Sequence, residues 1–232
     1  MNNIDLTNPR FEIEEAIATN DLPKLLKMTG MLHGHFCPFS ALGVKAATLA
    51  VRELKAKSKG MEGVIAIVDT NNCFSDGVQF VTGCSFGNNS LIYRDIGKTG
   101  FTLTKRDGNA IRVVVKTTRV MQERSDEATE LWQKVIVERG GNEADQERLN
   151  ELWRELSFKL LLLPDNEVLE IQEDQIQVPE FSRIFASANC SVCGESIMEP
   201  RARIKDGETT CIPCAKQSYY QLSGNGISLI AP

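Results

Sequence analysis

Four of the chain's seven cysteines stand as two C-x-x-C pairs, Cys190 with Cys193 and Cys211 with Cys214, inside CSVCGESIMEPRARIKDGETTCIPC. The spacing C-x2-C-x17-C-x2-C lets two tight turns each offer two thiolates to one tetrahedral ion, so the segment is expected to hold a structural Zn2+. So short a segment has little core of its own, and metal binding must supply much of its folding free energy, on the order of 10 kcal/mol for structural zinc. Disulfides would need oxidising surroundings and a redox dithiol would need only one C-x-x-C, which leaves rubredoxin-like iron as the main competitor.

Both histidines of the chain fall in His33-Gly34-His35-Phe36-Cys37-Pro38. In an extended stretch His33, His35 and Cys37 would project on one side at period two, and imidazole with thiolate suits a transition metal. Pro38 fits the first position of a helix, which makes Cys37 its cap. A thiol there lies near the positive end of the helix dipole and ionises more readily, for ligation or for nucleophilic chemistry. The plainer alternative is a capped helix start with two incidental imidazoles. A second cluster, Cys73 to Cys84, is expected in the loop after a strand, where sites are often assembled. Cys73 and Asp76 offer a soft and a hard ligand, or a nucleophile with an acid/base partner, while Gln79 and Thr82 can orient a substrate. Cys84 reads equally well as plain packing. The core therefore has candidate metal ligands His33, His35, Cys37 and Cys73, candidate catalytic groups Cys37, Cys73 and Asp76, and room for a second divalent metal.

The elements that must position these groups follow from patterning. Apolar residues recur at helical spacing over 11–31, broken at Asn20-Asp21 and Pro23, and again over FSALGVKAATLAVRELKAK. From Gly63 the runs GVIAIVD, GVQFVTG, SLIYRDIG, GFTLTKRDG and AIRVVVKT predict strands, with Arg106-Asp107-Gly108-Asn109 as a hairpin turn. Helices before a largely antiparallel sheet indicate an α+β core over 1–120. Residues 121–164 predict an inserted αα-hairpin arm, with Leu131, Trp132, Val135 and Ile136 on one helix and Leu149, Trp153, Leu156 and Leu160 on the other, split at Gly140-Gly141-Asn142. EVLEI and QIQVP predict short strands returning to the core over 165–185. A zinc ribbon over 186–222 and a tail over 223–232 complete the chain.

Composition bounds the partners. Apolar residues make up 42% and charged residues 25%, and no apolar run approaches the ~20 residues a membrane span needs. MNNIDLTNPRFEIEEAI lacks a basic stretch followed by an apolar one, so a cytoplasmic protein is expected. A net charge of −5 argues against phosphate-backbone binding, and nucleic acid is not an expected partner.

Two resemblances attach to these residues. The ribbon pattern C-x-x-C-G-x-x-I, a later Arg and a second C-x-x-C resembles the ribbons of DksA/TraR-type transcription regulators, which are interaction modules and scaffolds. The string H-G-H-x-C-P-x4-G from His33 to Gly43, followed by N-C-x-x-D-G-x-Q-x3-G-C from Asn72 to Cys84, resembles the FmdE family, named for a component of formylmethanofuran dehydrogenase. The likeness extends through Asp95-Ile96-Gly97-Lys98 and the following strand to the C-terminal ribbon. At Gly87-Asn88-Asn89-Ser90-Leu91 the family often has a second glycine near Asn89, and asparagine tolerates the same left-handed backbone. The resemblance implies an α+β core, an intertwined homodimer and a core metal site formed from the His/Cys motif.

Activity does not follow from that resemblance. In one reading the core is an enzyme or metallo-site with an open metal position and Asp76 as acid/base. In the alternative the protein is a non-catalytic accessory subunit or metallochaperone for a molybdenum or tungsten enzyme, docking through ribbon and arm. No ferredoxin-type Fe–S run, G-x-G-x-x-G or Walker motif supports hydride transfer or ATP use. The arm's two tryptophans and leucine stripe exceed what a free two-helix projection should expose, so a homodimer is expected. Light scattering at micromolar concentration checks this: a particle of twice the 25.7 kDa chain mass is the expected outcome, and a monomer refutes it.

Overall fold

The computed structural model describes residues 8–60 and 62–232. The export reading of the first residues therefore falls partly outside the described residues. Two units can be told apart, the first ending at Pro179 and the second running from Glu180 to Pro232.

In the first unit, α1 (Phe11–Ala18) leads into α2 (Leu22–His33), which starts where Asp21 Oδ1 accepts a hydrogen bond from the Lys24 amide at 2.9 Å. It ends at Gly34, whose φ of 86° is the left-handed conformation that glycine adopts without strain. His33 is thus the last helical residue and does not lie in an extended stretch, as its period-two spacing suggested. α3 (Pro38–Glu53) begins as expected, with Cys37 extended at the cap and Pro38 in the first turn. Ala41, Leu42, Val44, Ala46, Ala47 and Ala50 are fully buried along α3, making it the central helix of the core.

After β1 (Val64–Val68) the chain departs from expectation. GVQFVTG is not a strand, and the Cys73 cluster is not a loop: both belong to α4 (Cys73–Thr82). Asn72 Oδ1 caps it by accepting from the Phe74 amide at 3.0 Å, Asp76 lies in its first turn, and Gly83 closes it at φ 72°. Phe74, Val78 and Val81 bury one helical face, and that burial outweighs the strand preference of the two valines.

β2 (Leu91–Tyr93), β3 (Gly100–Lys105) and β4 (Asn109–Val115) follow, with the expected turn at 106–109 joining β3 to β4. α5 (Thr117–Met121) and α6 (Asp126–Trp132) lead into one π turn, Gln133–Val137. α7 (Glu143–Leu162) starts with a reciprocal cap, in which Asn142 and Asp145 each accept from the other's amide at 2.9 Å. α8 (Asp165–Val168) and β5 (Leu169–Gln175) end the unit. EVLEI lies in β5, but QIQVP does not form a second strand: Pro179 has no N–H for a ladder, and the chain beyond Gln175 is irregular. The sheet order is β2-β1-β3-β4-β5, with β1 and β2 parallel across the α4 crossover and every other pair antiparallel. This is the α+β fold expected, its sheet largely antiparallel.

The arm is not a free projection. Leu156, Leu160 and Leu161 of α7 are buried in the same core as α3. Lys45, 4% exposed, donates to the carbonyls of Leu161 and Leu163 at 3.0 and 2.7 Å and pairs with Asp165 at 2.8 Å, so one buried ammonium holds the end of α7 against α3.

In the second unit, hairpins β6 (Ser187–Asn189) with β7 (Ser196–Met198) and β8 (Arg203–Lys205) with β9 (Glu208–Thr210) carry the cysteine turns, and α9 (Ile212–Ala215) follows Cys211. The segment read as a tail contributes β11 (Gly226–Ile230), which pairs with β10 (Tyr219–Ser223). Among the described residues no helix is long and apolar enough to cross a membrane.

α3 and α4 cross on glycines. A methyl group on Gly43 would overlap the Phe74 carbonyl, and one on Gly77 would lie 2.6 Å from the Val44 nitrogen. Gly43→Ala or Gly77→Ala should therefore destabilise the first unit by about 1–3 kcal/mol through overpacking. Urea unfolding followed by tryptophan fluorescence reads this unit, because Trp132 and Trp153 both lie in it. A midpoint unchanged in both variants would contradict the close crossing.

Candidate metal centres

The ribbon builds its centre from two turns. Gly194, at φ 77°, closes the first by donating its amide to the Cys190 carbonyl at 2.9 Å. Cys211 caps the second, where its Sγ accepts from the Cys214 amide at 3.4 Å. The four sulfurs of Cys190, Cys193, Cys211 and Cys214 all lie within 4.8 Å of one another, and Cys193 and Cys211 are 4.0 Å apart. That is close to the ~3.8 Å edge of a sulfur tetrahedron with Zn–S bonds of about 2.3 Å. It is about twice the length of a disulfide bond, and all four thiols are free. Backbone amides, chiefly those of Cys193 and Cys211, lower the Cys190 pKa to about 6, favouring the thiolate that ligates. Hydrogen bonding to Cys211 pushes Cys214 up to about 12, and a divalent ion would displace the proton held there. The donor set fits zinc.

The core cluster is drawn from three helix ends. His33 closes α2, Cys37 caps α3, Cys73 opens α4, and His35 lies on the linker between α2 and α3. Donor atoms of His33, His35 and Cys37 lie within 4.8 Å of one another, and the Cys37 and Cys73 thiols share a hydrogen bond. His33 Nδ1 is 2.6 Å from Asp76 Oδ2, one turn into α4. A carboxylate only accepts, so Nδ1 carries a proton, and in the neutral ring the lone pair is then on Nε2. That Nε2 is buried and has no hydrogen-bond partner. A carboxylate–imidazole pairing of this kind orients histidines that ligate metals.

Electrostatics support ligation. The hydrogen bond from Cys73 lowers the Cys37 pKa to about 7 against the opposing effect of burial, and the same bond pushes Cys73 far up. Desolvation, and after it the neighbouring His33, lower the pKa of His35, keeping the neutral ring that binds metals. Two residues that the sequence did not single out for the site complete the surroundings. The Trp153 ring of α7 stacks on His35 at 6.0 Å, and Arg124 acts electrostatically on Cys37 while lying over Trp132. The two tryptophans read only as an apolar stripe, and no local pattern marks Arg124.

Other sequence candidates lie apart from the cluster's chemistry. The Thr82 hydroxyl donates to the Val78 carbonyl of its own helix at 2.7 Å. Cys84 is fully buried with its thiol toward the Val64 carbonyl at 3.5 Å, consistent with packing.

Elemental analysis of the full chain should find one zinc in the ribbon, which disappears with Cys190→Ser and persists in Cys37→Ala. Folded, metal-free protein with all thiols titratable would disprove it.

A family model described as FmdE, molybdenum formylmethanofuran dehydrogenase operon, matches residues 32–170. The prokaryotic dksA/traR C4-type zinc finger matches residues 183–220. A probable S-adenosyl-L-methionine-binding protein from Archaeoglobus fulgidus is 43% identical over 219 residues, which cover 92% of this chain and 58% of that protein. This chain thus matches little more than half the length of that relative. A tungsten formylmethanofuran dehydrogenase FmdE-like protein from Syntrophus aciditrophicus, solved by crystallography, shares the fold with a TM-score of 0.54 at 22% identity, over 83% of this chain and 91% of that one. With its core motifs inside the matched segment and its four-cysteine centre inside the second, the chain belongs to the FmdE family and carries a C4-type zinc finger.

Proposed function

We propose that the first unit is a metallo-site in which His33, His35 and Cys37 bind one divalent transition metal, with Cys73 beside them and a coordination position left open to a small ligand. The observation that carries this reading is His33 Nε2, buried without a partner while Nδ1 is held by Asp76. Leaving a ring nitrogen so placed costs free energy unless something binds it. When bound, such a metal supplies Lewis-acid polarisation of a ligand oxygen or a lowered pKa for bound water. The chain's own residues do the rest. Asp76 sets the tautomer of His33 and acts through it, which replaces the acid/base role its position first suggested. Cys73 donates its S–H to Cys37 until a metal takes the sulfur, and Trp153 covers one face of His35.

The accessory reading is kept as the alternative, because the matching family is described by a molybdenum formylmethanofuran dehydrogenase operon. Under it the ribbon and the arm would dock on a molybdenum or tungsten enzyme. A homodimer is proposed with either reading. Lower α7 already finds cover in the core, so the surface left for a second copy is the outer arm, where Val137 is 48% exposed, and the α7 end, where Leu162 is 82% exposed. The curated relative's name makes S-adenosyl-L-methionine the first compound to titrate into this chain.

Competition with a zinc chelator dye tests the metallo-site. The full chain should bind a second divalent ion beyond the ribbon zinc. Cys37→Ala should abolish that ion, and Asp76→Asn should weaken it by about 10–100-fold. A single metal per chain at saturating zinc, unchanged by Cys37→Ala, would leave the accessory reading in possession.

A further inference from the structure

The five-stranded sheet has two faces. Ala66, Val68, Phe101, Leu103, Ile111 and Val113 lie in the core shared with α3 and α4, so Ile67, Thr102 and Arg112, aligned across β1, β3 and β4, lie on the other face. An open cavity of about 660 Å3 stands on that second face, lined mostly by polar and charged side chains. Asp69 is its hub. The residue is only 1% exposed, and its Oδ2 accepts from Arg112 Nη2 at 2.5 Å, while Arg112 Nη1 donates to Thr102 Oγ1 at 3.3 Å. The Asp69 carbonyl accepts from the Gly97 amide at 2.8 Å, which pins the loop from Arg94 to Lys98 to the end of β1. One residue thus fixes the arginine in the cavity wall and anchors the loop that brings Arg94 and Lys98 to the same cavity. A buried ion pair is a weak source of stability, and what this one supplies is a set orientation. Two bonds leave three of the five guanidinium N–H donors of Arg112 for a ligand.

We propose that this cavity binds the phosphate group of a small polar molecule, with Arg112, Arg94 and Lys98 as anchors and Asp69 as the residue that positions them. Three cations drawn from a strand and a separate loop suit a doubly charged group with three terminal oxygens, where a carboxylate would occupy a single fork. The acids nearby are already engaged. Asp69 is spent on Arg112, Asp174 Oδ1 accepts from the Gln175 amide at 2.8 Å, and Asp95 takes the Tyr93 hydroxyl at 2.6 Å without lining the cavity. Gln177 adds an amide to the lining, which suits a hydroxylated body better than an apolar one. The site does not depend on the metallo-site reading, because none of His33, His35, Cys37 and Cys73 lines the cavity. It also gives a place to the Asp95-Ile96-Gly97-Lys98 motif, which the metal centres leave unused.

Phosphorus NMR of inorganic phosphate titrated with the full chain, its ribbon loaded with zinc, tests the site. The resonance should broaden saturably at one site per chain. Lys98→Gln and Arg94→Gln should each raise the phosphate Kd by about tenfold, the effect of losing one charge-assisted hydrogen bond. Asp69→Asn and Arg112→Lys should each weaken binding, and the double variant should bind no worse than the weaker of the two, because both remove the same oriented fork. Additive losses would overturn the positioning role of Asp69. A Kd unchanged in Lys98→Gln and Arg94→Gln, or acetate bound as tightly as phosphate, overturns the proposal. Cys37→Ala should leave phosphate binding as it is, and a loss there would move the phosphate to the core metal and overturn the proposal while sparing the metal centre.

Discussion

The crossing of α3 and α4 on Gly43 and Gly77 is the contact on which the rest of the first unit depends. Helix axes ordinarily pack 8–10 Å apart because side chains stand between them. Here each glycine meets the backbone of the other helix, so no side chain separates the two at that point. The crossing lies within two turns of both helix starts, so it brings the cap of α3 beside the first residue of α4. Cys37 and Cys73 therefore meet through backbone geometry, not through the reach of long side chains. Asp76 then falls on the turn of α4 facing the end of α2, where it meets His33.

The two centres are assembled on different principles. All four ribbon cysteines come from 25 residues and two turns, and so short a segment would depend on a metal for its order. The proposed core centre would draw its donors from the ends of α2, α3 and α4 and the linker after α2, and these helices bury their apolar faces in one core. Its donor atoms are held in place by helix capping and by the Asp76–His33 hydrogen bond, so binding there need not supply the folding free energy.

How much of this was legible in the sequence depended on how local each determinant is. The ribbon ligands, the 106–109 hairpin and Cys37 as the cap of α3 rest on patterns a few residues long, and the structure has them where those patterns put them. α4 was misread because Val78 and Val81 favour strands in isolation, whereas Asn72, Gly83 and a face buried against α3 decide for a helix. The gathering of His33, His35 and Cys37 was foreseen for the wrong geometric reason: the left-handed turn at Gly34, not an extended backbone, brings the three donors together. Trp153 reaches His35 from an arm that read as separate, and only tertiary packing places it there. The exposed stripe that suggested a second copy of the chain proved partly an internal surface, because Leu156 and Leu160 face the core.

Lys45 gives the arm a mechanical character. Its partners are the Leu161 carbonyl in the last turn of α7, the Leu163 carbonyl just past it and Asp165 of α8, while the opposite end of the hairpin turns at Gly140-Gly141. At 1.5 Å per residue the helix from Glu143 to Leu162 is a rod of about 30 Å, clamped at one end. The amplitude of a clamped rod grows with distance from its clamp. Trp153 stands about 12 Å along the helix from Leu161, between the clamp and the hairpin tip. A displacement of the tip would reach the indole on His35 reduced in amplitude, as along a lever pivoted at its clamp.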